Sequence, residues 1–222
     1  MCYFPDIQYE GNFRPLQNGP VDELPASPRA MFTLLVNRGI VEDNFLAGIH
    51  NMDELEAYIF ELIDHYPENG VATERIFHLI EIWGGRTGRG LYCNQVFRWQ
   101  DIEPLYNGLI NDFMAIEAID DQTLVRASAA VGVFYNALHN AGYRGMAVAF
   151  ITKHTRFWMH RHLPNSMLPI YDSTFSTNVM HQRGTNIRHL LPYWRGMVAK
   201  AAEENVSLTS LERQLFNYYQ LH

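Results

Sequence analysis

Lysine is nearly missing from this chain of 222 residues. Only Lys153 and Lys200 occur, against fifteen arginines, so positive charge is normally supplied as guanidinium and each lysine calls for its own explanation. Cysteine is equally scarce. Cys2 and Cys93 are too few for a disulfide framework, a four-thiolate zinc site or an iron–sulfur cluster, and both are expected as unpaired thiols. No stretch approaches the ~20 apolar residues of a membrane-spanning helix, and the opening MCYFPDIQYEGN lacks a basic start followed by an apolar core. The chain therefore reads as soluble and cytoplasmic, with no membrane partner. Strand-like alternation is rare, confined to short runs such as GLYCNQVF at 90–97.

What is present belongs to an ordinary globular protein, with 47% hydrophobic and 18% charged residues. Its length suits one compact unit or two closely packed lobes. Residues 1–27 carry Pro5, Pro15, Pro20 and Pro25 with little periodicity, which predicts an irregular arm. Residues 28–222 then read as a single helical domain. Met52, Leu55, Tyr58, Ile59, Leu62, Ile63 and Tyr66 recur at helical spacing behind an Asn51 cap with Glu54 three residues on. Ile76 to Trp83 predicts a second helix, ended by the glycines of WGGRTGRG, and Leu124 to Leu138 a third. Ile187 to Ala201 is another stripe, which Pro192 must kink or restart; Leu208 to Tyr219 is the last, with Thr209 and Glu212 at capping-box spacing. The fold class is all-α.

Charge is distributed unevenly. The net charge is −7, yet between residues 140 and 200 eight cations (Arg144, Lys153, Arg156, Arg161, Arg183, Arg188, Arg195, Lys200) face one carboxylate, Asp172. Five histidines, His154, His160, His162, His181 and His189, lie in the same segment. Such a segment predicts a basic face suited to a polyanion.

At the centre of this segment stands AFITKHTRFWMHRHLPNSMLPIYDS, 149–173. GMAVAFITKHTRFWMHRH, 145–162, reads as one long helix that puts Lys153 on a face with Ala149, Phe150 and Phe157. A partly desolvated lysine can lose its proton and attack carbon, which an arginine cannot do. Asp172, nineteen residues on, is placed to cap the helix that follows it. As the lone acid on a basic face, it costs polyanion affinity unless it has a task.

A lysine and an isolated aspartate on consecutive helices of an all-α protein resemble the site of the helix-hairpin-helix DNA glycosylases. AFITKHTRFWMHRHLPNSMLPIYDSTF is similar to the bacterial 8-oxoguanine glycosylase-fold group, with its lysine, its aromatic helix and its Pro-Ile-Tyr-Asp-Ser turn. The resemblance covers roughly 125–185, and IWGGRTGRG at 82–90 extends it. It implies a two-lobed helical bundle with a groove between the lobes, and a monomer that binds double-stranded DNA and flips a modified base out of the stack. It implies Lys153 and Asp172 as catalytic residues, with Asp172 stabilising the developing sugar cation while Lys153 or a water attacks. It needs neither metal nor organic cofactor. A bacterial or phage-encoded intracellular protein is the expected setting.

Trp83, Phe157, Trp158, Tyr193 and Trp194 are the rings available to a flipped base, although one or two at most should line the pocket. Arg86, Arg89, Arg144, Arg156, Arg161, Arg183 and Arg188 are the cations available to phosphates. His160 and His162, two apart on a helix, point away from each other and predict no metal site. The chain departs from the family at one place. The Leu-Pro-Gly-hydrophobic-Gly hairpin is replaced by AGYRG at 141–145, Lys153 lies eight residues beyond Gly145, and Met146 or Ala147 stands where the family has its lysine. Two other functions fit the same residues: an antiviral glycosylase acting on modified phage DNA, and a non-catalytic helical module that binds DNA or protein.

Overall fold

A computed structural model describes residues 1–11, 33, 36, 37, 39, 49–84, 98–143 and 147–221. Eight α-helices and no strand occur among them: α1 Met52–Asp64, α2 Thr73–Trp83, α3 Trp99–Met114, α4 Asp121–Asn140, α5 Val148–Met159, α6 Ser173–Asn178, α7 Leu190–Glu204 and α8 Leu208–Leu221. The all-α expectation holds. The GLYCNQVF run lies outside the described residues, as does the remainder of the N-terminal arm beyond residue 11.

Local chemistry sets several of these boundaries. Asn51 Oδ1 accepts the Glu54 amide at 2.8 Å, and Glu54 returns to accept the His50 amide, so α1 starts where its first orphan donors are satisfied. Asp120 does the same for α4 through the Thr123 amide. A 3₁₀ turn over Ile187–His189 precedes α7, and Pro192 falls in the first turn of α7, where a missing N–H costs nothing: the helix restarts and is not kinked. Helix α3 has no counterpart among the predicted helices, because Pro104 and Gly108 interrupt its pattern; packing of Trp99, Ile102, Tyr106, Leu109, Ile110 and Phe113 into the core holds it. Helix α5 is shorter than predicted. It ends at Met159, where His160 turns to Asp64 and Phe60 and Arg161 donates to the Tyr66 carbonyl. At α8, Ser207 Oγ caps the Ser210 amide, Thr209 donates to the Pro164 carbonyl, and Glu212 points into the core, so no capping box forms there.

Helix α5 is the middle of the molecule, packed against α1, α2, α3 and α4. Nine of its twelve residues are buried, including Thr152, His154, Thr155 and Arg156. Polar groups on such a helix need partners inside the protein, and those partners build the site. Residues 1–11 form no helix and lie along α6, α7 and α8. The Tyr3 amide donates to Val179 O at 2.8 Å, and Glu10 is held at both its amide and its carbonyl by Gln214. A Cβ at Gly196 would overlap Cys2 Sγ, so glycine there makes room for the arm.

Candidate active site at the Pro-Ile-Tyr-Asp turn

The segment Met167–Asp172 joins α5 to α6 without regular structure, and side chains from three helices hold its backbone. The Ile170 amide donates to Glu212 Oε1 at 2.6 Å and the Tyr171 amide to Thr152 Oγ1 at 3.0 Å. Tyr193 Oη donates to the Ile170 carbonyl and Trp194 Nε1 to the Pro169 carbonyl, each at 2.9 Å. Asp172 emerges from this cradle as the N-cap of α6. Its Oδ1 accepts the Thr174 amide at 2.9 Å and the Phe175 amide at 3.1 Å, as the sequence predicts. Burial pushes the carboxyl above its usual range, against the pull of the Phe175 amide, the Lys153 charge and the Thr174 amide.

Lys153 projects from the half-buried side of α5 toward the end of α2. Its Nζ donates to the Gly84 carbonyl at 2.9 Å and lies 4.9 Å from the centre of the Phe150 ring. Gly84 is the C-cap of α2, and a Cβ there would lie 3.3 Å from both Cδ and Nζ of Lys153, tighter than side chains normally pack. The lysine thus rests on a glycine at the negative end of a helix. It lies close enough to Asp172 for its charge to lower the pKa of that carboxyl.

The next residue on α5 fixes this register. His154 is fully buried and bridges Tyr106 Oη at 2.8 Å and Glu81 Oε1 at 3.0 Å. Trp158 Nε1, which can only donate, gives its proton to Tyr106 Oη at 2.8 Å. With the ring neutral and protonated at Nε2, Tyr106 donates to His154 Nδ1 and His154 Nε2–H donates to Glu81, so both ring nitrogens are satisfied. Burial holds the imidazole below its usual pKa despite the opposing pull of Glu81.

The rings are distributed unequally. Phe157, Trp158, Tyr193 and Trp194 are at most 1% exposed; they belong to the core, and the polar tips of the last three are spent on the bonds already described. Trp83 is the only one of the five at the surface, partly buried, edge-on to Phe157 and 5.8 Å from the Arg156 guanidinium.

The basic segment does not become a uniformly basic face. Arg156 is buried between Glu56 at 3.1 Å and Glu212 at 3.0 Å, and these two carboxylates outweigh the burial that works against its charge. Arg161 pairs with Glu68, Arg195 with Asp121, and Lys200 with Glu203 and Glu204. Every one of these acids lies outside 140–200. Arg183 and Arg188 are exposed on the loop between α6 and α7, with no carboxylate partner among the described residues. Arg86, Arg89 and Arg144 lie outside the described residues.

Thr152, Glu212, Glu81 and His154 are parts of the site that the sequence does not announce, because each acts through a partner far along the chain. Among the described residues, no three of His, Cys, Asp and Glu come together as a ligand set, and no helix is long and apolar enough to cross a membrane. No family profile, curated protein or solved structure matches the chain.

Proposed function

We propose that the protein is a DNA glycosylase that removes an oxidised or otherwise modified base from duplex DNA by base flipping, with Asp172 and Lys153 at its site. The observation that carries this reading is Asp172 itself. A carboxylate is presented at a helix N-terminus, held through one oxygen by two amides and kept partly desolvated, with a lysine in electrostatic reach. Loss of a base leaves positive charge on the sugar, and a fixed anion in a partly dry site is the group that stabilises it. In this reading the helices form the two-lobed bundle of the helix-hairpin-helix glycosylases, Trp83 is the ring left to stack on the flipped base, and Arg183 and Arg188 grip phosphate. The paired arginines of the basic segment serve the fold.

The test uses oligonucleotide duplexes carrying 8-oxoguanine and a panel of other modified bases, including those of phage DNA. Release of a free base from at least one of them, lost in Asp172→Asn, is the expected result. Salt-sensitive binding with no base released from any duplex would make the protein a binding module and sink the proposal.

A further inference from the structure

We infer that the Tyr3 and His181 rings, with Arg183 and Arg188 in the adjoining loop, form a surface that binds single-stranded nucleic acid, the rings stacking on an unpaired base and the arginines holding its phosphates. This goes beyond the glycosylase reading and stands without it.

The N-terminal arm touches both ends of the loop that carries the two arginines. At one end the Tyr3 amide donates to the Val179 carbonyl at 2.8 Å, and the Tyr3 ring lies 4.2 Å from the His181 ring, tilted by 58°. At the other end Cys2 Sγ lies 3.6 Å from the Pro192 carbonyl, in the room that Gly196 leaves for it. These contacts fix Tyr3 against the loop.

His181 is held in a conformation that strains a side chain. Its φ is 51°, set between the Met180 amide, bonded to the Phe175 carbonyl at 3.1 Å, and the Gln182 amide, bonded to the Ser176 carbonyl at 2.7 Å. Glycine takes such a conformation freely, as Gly184 does at φ 72°. A histidine in its place puts a ring at the surface beside Tyr3, and both residues are exposed, Tyr3 at 49%.

The cations stand in the same loop. Arg183 is two residues beyond His181, and Arg188 is fixed at its amide by Asn186 Oδ1 at 3.1 Å and at its Nε by His189 Nε2 at 3.2 Å. Both arginines are exposed. A planar guanidinium matches phosphate, and a π face accepts any base. The pairing of these two chemistries decides the partner. An acidic protein would engage the arginines alone, and a duplex keeps its base faces stacked on one another, so only an unpaired strand uses rings and cations together.

The experiment titrates the full chain into a labelled oligothymidylate of about twelve nucleotides, and into a strand of the same length built from abasic spacers, read by fluorescence anisotropy. The wild type is expected to bind the first about tenfold more tightly. Tyr3→Leu, which keeps an apolar contact for His181 and lacks a π face, should remove that preference, and Tyr3→Trp should retain it. His181→Gly, which relieves the backbone and deletes the ring, should narrow the preference without lowering the melting temperature. Arg188→Ala should weaken both strands alike. Equal binding of the two strands by the wild type, or an undiminished preference in Tyr3→Leu, overturns the inference and leaves Tyr3 a latch for the arm. Binding of neither strand overturns it as well. Base release plays no part in the readout, so each of these results leaves the glycosylase reading as it stood.

Discussion

Thr152 accepts the Tyr171 amide at 3.0 Å, and each of the two stands one position ahead of a candidate catalytic residue. The hydroxyl also donates back to the Ala149 carbonyl, so its orientation on α5 is fixed. A single oxygen atom thereby links the register of the lysine helix to the register of the aspartate turn.

Replacing that oxygen separates geometry from fold. Thr152→Val leaves the Tyr171 amide buried without an acceptor, a cost of about 1–3 kcal/mol, and lets the turn shift. A displacement of about 1 Å at a reacting group costs on the order of a hundredfold in rate. Base release by Thr152→Val is expected to fall mainly in kcat, and Thr152→Ser, which keeps the hydroxyl, should restore most of it. Equal losses in both variants, measured in single turnovers alongside thermal melting, would leave Thr152 a packing residue only.

Asp172 predicts opposite effects on activity and stability. Its folded pKa is raised, so the folded state holds the proton more tightly than the unfolded chain, and ionisation above the ordinary carboxylate range costs stability. Asn caps a helix about as well as Asp. Asp172→Asn should therefore lose base release yet melt no lower than the wild type at pH 7. In the wild type, release should fall as pH drops through the raised pKa, a pH–rate limb that Asp172→Asn cannot show.

His154 gives a different pH signature. Its folded pKa lies below 6.5, so the unfolded chain binds the extra proton first. Stability is complete above that value and is lost as pH falls below it. The titratable groups around the ring are Glu81, Tyr106, His78 and Lys153. Denaturant midpoints measured from pH 7.5 down to 5.5 should fall in the wild type and fall less in His154→Gln.

Arg156 and Arg188 divide the duties that a charge count would assign to both. Removing Arg156 leaves Glu212 buried without its cation, a loss of about 3–5 kcal/mol for Arg156→Ala, while the half-buried Glu56 keeps Arg213 and the salt dependence of DNA binding stays as it was. Arg188→Ala should leave the melting temperature unchanged and reduce the slope of log affinity against log salt by about 1. A reduced salt slope in Arg156→Ala with unchanged stability would reverse this assignment.

The helices with a clean 3.6-residue stripe and a local cap, Met52–Asp64 and Asp121–Asn140, were legible in the sequence, as was Asp172 at the start of α6. Caps and stripes operate over three or four residues, so the chain encodes them where they act. Helix α3 was not legible, since Pro104 and Gly108 count against it locally and only its buried face keeps it. Pairing partners were least legible of all. Glu56 lies a hundred residues from Arg156, and Glu81 seventy-three from His154. Nothing in a stripe or a cap says which carboxylate a buried cation will meet. The sequence by itself determined an all-α chain with its acid at a helix start, and only the packing of α5 among four helices decided which charges were spent inside and where Lys153 came to rest, because desolvation penalises every buried charge that lacks a partner.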